Sequence, residues 1–173
     1  MLPSLTFVLG GAASGKSVFA ENLILNSQLT PVYIATSRVW DDETKARVDL
    51  HKSRRDATWT THEAAFDLAP ALANATPQHA ILIDCATMWL TNHLLEENPL
   101  DVAHSALFKA LDTCTAPIVI VSNEVGMGIV PDNALSRTFR EAQGRLNIAL
   151  AARANLAVQV VAGLPNVLKG TLP

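Results

Sequence analysis

Three-layer α/β architecture with a mainly parallel β-sheet is the fold class that this 173-residue sequence predicts. Its short apolar runs are continuous rather than alternating, as in strands buried on both faces. Helix-compatible stretches separate them, so successive strands join by right-handed crossovers and helices cover the sheet. A glycine-rich turn links the first run to the first helix, the remaining mark of this class.

Five runs read as strands: Leu5 to Leu9, Val32 to Ala35, Ala80 to Asp84, Ile118 to Val121 and Leu156 to Ala162. Between them, helices are expected over Lys16 to Asn26, Asp42 to Arg55, Ala64 to Ala75, Met88 to Glu97, Val102 to Cys114 and Asn133 to Ala154. Pro31, Pro117 and Pro131 fall at element edges, as residues that cannot continue a hydrogen-bond ladder should. Neither a repeat nor a low-complexity linker marks a boundary, so residues 1–173 read as one domain.

Composition narrows the function classes. A hydrophobic content of 49% with 17% charged residues suits a packed globular core. The net charge of −3 argues against nonspecific nucleic-acid binding, leaving Arg47 to Arg55 as the one basic cluster, of a size for a small anion. Cys85 and Cys114 lack CxxC spacing and are too few for a four-cysteine zinc site, so both read as ordinary buried thiols. No 18-residue apolar run and no signal-peptide pattern occurs, from which a cytoplasmic location without a membrane span is expected.

Gly10-Gly11-Ala12-Ala13-Ser14-Gly15-Lys16-Ser17 fits GxxxxGK[ST], with a buried strand before it and a helix after it. Glycines let the backbone curl until successive N–H groups face phosphate oxygens, and the helix N-terminus adds positive potential. In that pattern Lys16 reaches the β- and γ-phosphates of a nucleoside triphosphate and Ser17 holds Mg²⁺. The fold class is therefore that of P-loop NTPases. Asp84, closing the run "AILID", is placed to bind the same Mg²⁺, or else caps the next helix.

The segment "DDETKARVDLHKSRR" opens with acids and closes with cations, matching the polarity of a helix. Arg47, His51 and Arg55 recur at i, i+4 and i+8, so one face carries His51 among guanidinium groups. Such neighbours disfavour the imidazolium and keep the ring nucleophilic, while binding phosphate themselves. Spacing alone leaves this reading beside that of a solvated basic face. Glu63 accepts a ribose hydroxyl or base N–H, or is an exposed helix-start glutamate. His62, His79, His93 and His104 share no constellation and read as surface or capping residues.

"GGAASGKSVFAE", "YIATS", "DDETKARVDLHKSRR" with "WTTHE", "ILIDCATMWLTN", "VSNEVGMGIVPDNALSRTFREAQGRLN" and "VVAGLPNVLKG" follow one another along nearly the whole chain. In that order they resemble the bifunctional adenosylcobinamide kinase / adenosylcobinamide-phosphate guanylyltransferases of cobalamin biosynthesis. The resemblance implies two reactions: phosphorylation of adenosylcobinamide by ATP or GTP, then GMP transfer from GTP to adenosylcobinamide phosphate through a histidine-GMP intermediate. It implies that His51 is that histidine and adds nucleotide contacts from Ala35, Thr36, Ser37, Lys52, Ser53, Arg54, Arg55, Glu63 and Asp84. It also implies a homotrimer, with Met127, Ile129 and Val130 at the interface. Loops at the ends of parallel strands are where such sheets bind ligands, which sets Asn123 and Glu124 near the corrinoid or an adjoining subunit. The chain departs from the family pattern at Ala13, where arginine is common, and at Leu50, where some members carry histidine. A simple P-loop kinase and a GTP-dependent switch are the other readings; neither accounts for the arginine-flanked histidine. Within "NEVGMGIVPD", Gly126 and Gly128 free the backbone, Pro131 ends the loop and Asp132 is expected to cap the next helix.

Overall fold

The computed structural model describes residues 1–38 and 57–173. Its strands are β1 (Leu5–Gly10), β2 (Thr30–Ala35), β3 (Thr60–Glu63), β4 (His79–Asp84), β5 (Ile118–Asn123), β6 (Leu156–Val161) and β7 (Leu164–Lys169). Its helices are α1 (Lys16–Asn26), α2 (Ala69–Ala73), α3 (Ala86–Leu95), α4 (Leu100–Thr113) and α5 (Ala134–Arg153). The strands form one sheet in the order β3-β2-β4-β5-β1-β6-β7. Every pairing is parallel except β6 with β7.

Continuous apolar runs are strands buried on both faces, and β4 illustrates why. Ile81 and Ile83 pack with Trp89, Leu90, Leu107 and Leu146, under α3, α4 and α5. Their alternates Ala80 and Leu82 pack with Ala20 and Ile24 of α1. All four of these β4 residues are fully buried. The sheet thus lies between two helical layers, the three-layer α/β fold. Among the described residues no helix is long and apolar enough to cross a membrane.

The structure corrects the sequence reading at several elements. β3 went unread because "TTHE" is polar and every residue of this edge strand is exposed. β7, the opposite edge, is likewise exposed along its length and carries Pro165, which only an edge position tolerates. The helix expected over 64–75 shrinks to Ala69–Ala73. In the shortened part, side chains satisfy the backbone instead: Trp89 Nε1 donates to the Phe66 carbonyl at 2.7 Å and Asn92 Nδ2 to that of Ala65 at 2.9 Å. The cap of α5 is Asn133 rather than Asp132, its side-chain oxygen accepting from Ser136 N at 2.8 Å. The helix expected over 42–55 lies outside the described residues.

The histidines are corrected too. His79 caps no helix but closes the turn into β4, its Nδ1 accepting from Thr76 N at 2.9 Å, and His62 is exposed on β3, as a surface residue should be. His93 is buried, and its ring centroid lies 4.5 Å from that of Trp89; the His104 ring stacks on the same indole at 5.8 Å. These two therefore do share a constellation, an aromatic one between α3 and α4. Burial lowers the pKa of both below the ordinary histidine value, and for His104 the neighbouring His93 adds to the effect.

Candidate active site

The C-terminal ends of the parallel strands bring the sequence-predicted residues together. Gly10 ends β1, Ala35 ends β2, Glu63 ends β3 and Asp84 ends β4. In register, Glu63 faces Ala35, Ala35 faces Asp84, and Gly10 faces Asn123 at the end of β5. This is the edge at which open α/β sheets bind ligands.

Gly11 to Gly15 form the turn from β1 into α1. Gly15 holds a left-handed φ of 92°, and a Cβ there would stand 2.9 Å from the Gly163 Cα. At Gly10 a Cβ would stand 2.8 Å from the Val160 carbonyl oxygen. Backbone bonds fix the turn internally, Ser14 N donating to Gly11 O at 3.3 Å, and externally, Gly163 N donating to Ser14 O at 2.8 Å and Glu124 N to Gly10 O at 3.0 Å. Lys16 folds back over it, Nζ donating to the Gly11 carbonyl at 3.1 Å. Ser14 Oγ is buried without a hydrogen-bond partner. Ala12 and Ala13 are exposed, while Lys16 and Ser17 are half-buried in the first turn of α1.

The role of Gly163 was missed in the sequence. It is the second residue of a two-residue hairpin turn between β6 and β7, where Ala162 has φ 52° and Gly163 φ 79°. Two successive positive φ values define the turn that suits the twist of a hairpin. Local sequence offered no clear signal for it, since Ala-Gly is not among the dipeptides that favour this turn and the following strand, "LPNVLK", is exposed along its length.

Asp84 is half-buried and accepts a hydrogen bond from Tyr33 Oη at 3.1 Å, a partner that sequence reasoning also missed. The Asp84–Cys85 peptide is cis. Thr36 is fully buried. Its Oγ1 accepts from Cys85 N and donates to Cys85 O, both at 2.7 Å, which ties the end of β2 to the end of β4. Ala35 and Ser37 on either side are half-buried, and Glu63 is exposed. His51, Lys52, Ser53, Arg54 and Arg55 lie outside the described residues. Cys85 is buried, and desolvation raises its thiol pKa to about 12, so it stays protonated beside Asp84.

Two oxygen donors, the Ser17 hydroxyl and the Asp84 carboxylate, suit Mg²⁺, a hard cation that takes few protein ligands and completes its shell with phosphate and water. Among the described residues no cluster of three His, Cys, Asp or Glu side chains offers an all-protein metal cage.

Comparison with known proteins supplies the family. Residues 6–168 match the family model described as cobinamide kinase / cobinamide phosphate guanyltransferase. The bifunctional adenosylcobalamin biosynthesis protein CobP of Pseudomonas aeruginosa is 43% identical, over 94% of this chain and 96% of its own length. The bifunctional adenosylcobalamin biosynthesis proteins CobU of Salmonella typhimurium and Escherichia coli are 42% and 39% identical, each over 91% of this chain and 95% of the relative. Among solved structures, a Pyrococcus horikoshii protein superimposes with a TM-score of 0.55 at 9% identity, over 98% of this chain and 87% of its own. An ATPase from a type III secretion system of pathogenic bacteria gives 0.50 at 10% identity, over 96% and 57% of the two chains, and these two likenesses concern the fold alone. On the match along nearly its full length, the chain belongs to the cobinamide kinase / cobinamide phosphate guanyltransferase family.

Proposed function

We propose that this chain phosphorylates adenosylcobinamide and then converts the phosphate to adenosylcobinamide-GDP, both on one domain spanning residues 1–173. In the first reaction a nucleoside triphosphate, ATP or GTP, lies with its tail in the loop from Gly10 to Ser17. The aminopropanol hydroxyl of adenosylcobinamide attacks the γ-phosphorus, the bond from that phosphorus to the β,γ-bridging oxygen breaks, and the nucleoside diphosphate leaves. Lys16 and the loop amides take up charge that moves onto the leaving oxygens. Ser17 and Asp84 are the residues that would hold Mg²⁺, whose charge screens the phosphate oxygens when it is bound.

In the second reaction His51 attacks the α-phosphorus of GTP. A phosphorus–nitrogen bond forms, pyrophosphate departs with the bridging oxygen, and the arginines around His51 offset the charge it carries. A phosphate oxygen of adenosylcobinamide phosphate then displaces the imidazole, giving adenosylcobinamide-GDP and the free histidine. Lys52, Ser53, Arg54, Arg55, Ala35, Thr36, Ser37 and Glu63 are assigned to the nucleotide. For Thr36 the side chain serves by aligning strand ends, since its hydroxyl is spent on Cys85. We place the enzyme in the cytoplasm as a homotrimer, with the exposed Met127, Ile129 and Val130 in the subunit contact.

The observation that carries this reading is the braced loop of Gly10 to Ser17, with Asp84 on the same sheet edge, in a chain of this family. The test supplies adenosylcobinamide, GTP and Mg²⁺ and identifies products by mass spectrometry. Adenosylcobinamide phosphate and adenosylcobinamide-GDP are expected, and their absence sinks the proposal. GTP labelled at the α-phosphate should leave acid-labile, base-stable label on the wild-type protein and none on His51→Ala. Phosphorylation without any such label would instead identify a simple kinase.

A further inference from the structure

β5 lies between β1, which carries the glycine-rich loop, and β4, which ends in Asp84. Its last residue, Asn123, stands opposite Gly10. Side chains alternate along a strand, and Val119 and Val121 pack with Ala20 and Ile24 of α1. The side chain of Asn123 therefore points to the α1 face, the face of the loop and Lys16. Leu82 shares that face, so Asp84 points the same way.

The backbone of Asn123 is held from both neighbouring helices. Its N–H donates to Thr87 Oγ1 of α3 at 2.8 Å, and its carbonyl accepts from Asn147 Nδ2 of α5 at 3.1 Å. Ser122, fully buried and pointing the other way, donates to Asn147 Oδ1 at 2.7 Å and accepts from Gln143 at 2.9 Å. This buried polar network fixes one residue, and that residue's own amide is left unspent: Asn123 Oδ1 is buried without a partner. An unmet buried polar atom is costly to a fold, and a ligand that meets it is one physical reason for keeping it.

We infer that the Asn123 amide is a substrate contact of the phosphoryl-transfer step, an inference that rests on the function proposed above. One amide presents a donor and an acceptor on adjacent atoms. Nδ2 donates to an oxygen of the γ-phosphoryl group, and Oδ1 accepts from the attacking hydroxyl, which lines the nucleophile up with phosphorus. The amide stays neutral. The new bond joins the hydroxyl oxygen to phosphorus, the nucleoside diphosphate leaves with the bridging oxygen, and the hydroxyl proton passes through a phosphoryl oxygen to water. Thr87 and Asn147 act through Asn123 as positioning residues.

The test compares wild type with Asn123→Ala and with the nearly isosteric Asn123→Asp, following adenosylcobinamide phosphorylation. Loss of one preorganised donor at a transition state costs on the order of 10²-fold in rate. The kcat should fall by about that factor in Asn123→Ala, while KM for the nucleotide and binding of a fluorescent GTP analogue change less than about threefold. Its melting temperature should not fall, because the side chain leaves no partner unpaired. Asn123→Asp keeps the acceptor but sets an anion against phosphate, so its kcat should fall at least as far. Wild-type kcat in either variant overturns the inference, as does a loss of kcat that follows a lowered melting temperature. Active wild type with unimpaired variants removes Asn123 alone; wild type that phosphorylates nothing removes the parent reading with it.

Discussion

Gly15 shows how a single residue can set a site. Its left-handed φ and the 2.9 Å approach of its absent Cβ to Gly163 act together. A left-handed backbone costs an L-residue roughly 1–2 kcal/mol, and the steric contact adds to it. Gly15→Ala should therefore lower the melting temperature by about 3–8 °C on the usual scaling for a chain of this size. It should also weaken nucleotide binding, because the turn aims the loop amides. A melting curve and a nucleotide titration check both, and an unchanged melting temperature would mean that the turn relaxes. Cys85 yields a prediction from burial. With its pKa raised from 9.0 to about 12, the folded thiol stays protonated while an unfolded one ionises above pH 9.0. Stability that Cys85 contributes is thus present below pH 9.0 and lost as pH rises through that window. At pH 8 iodoacetamide should alkylate Cys85 only in urea, as peptide mass mapping would report; labelling in the native protein would show the site to be open.

At the scale of elements, the hairpin of β6 and β7 braces the loop, and the aromatic cluster between α3 and α4 carries a pH dependence. His93 and His104 both have pKa values lowered by burial, so the unfolded chain takes up protons first as pH falls. Their contribution is full above about pH 6.5 and is lost as pH drops below it toward the folded values. The groups facing them are Trp89, Phe66, Phe108 and Asn98, with Asp101 partly opposing the shift of His104. His104→Phe keeps the ring stack and removes the buried, unpartnered Nε2. The urea midpoint of wild type should fall between pH 7.5 and 5.5, and that of His104→Phe should fall less; equal slopes would exclude His104. What made elements legible was burial. β1, β2, β4, β5 and β6 announced themselves through continuous apolar runs, whereas "TTHE" of β3 and "LPNVLK" of β7 gain their strand geometry from the neighbour they pair with, a tertiary effect that local pattern does not carry. The loop was legible because its chemistry is local, running from Gly10 to Ser17. Its braces were not: Gly163 N and Glu124 N bond to the loop, as Tyr33 Oη bonds to Asp84, only because of strand order. His93 and His104 misled for the same reason, since the indole that joins them stands on one helix and His104 on the next.

Over the whole molecule, the sheet order concentrates chemistry on one edge. Glu63, Ala35, Asp84, Asn123 and Gly10 end five successive strands, each about 4.8 Å from the next, so a single extended nucleotide can lie across them. Among the described residues one glycine-rich loop of this kind serves that edge, yet the two proposed reactions attack different phosphorus atoms, γ in the kinase step and α in the guanylyl step. If one loop grips the triphosphate tail in both, the donors must exclude each other. An ATP analogue with an imido group between its β- and γ-phosphorus atoms, which cannot pass on its γ-phosphoryl group, should inhibit labelling of His51 by α-labelled GTP. Inhibition should be competitive, with the maximal labelling rate restored at high GTP. Lys16→Ala should slow labelling and adenosylcobinamide phosphorylation together, each on the order of 10²-fold, because the same ammonium meets the tail in both. Labelling that ignores the analogue, or that survives loss of Lys16 while phosphorylation does not, would require a second tail site and would separate the two activities on this fold.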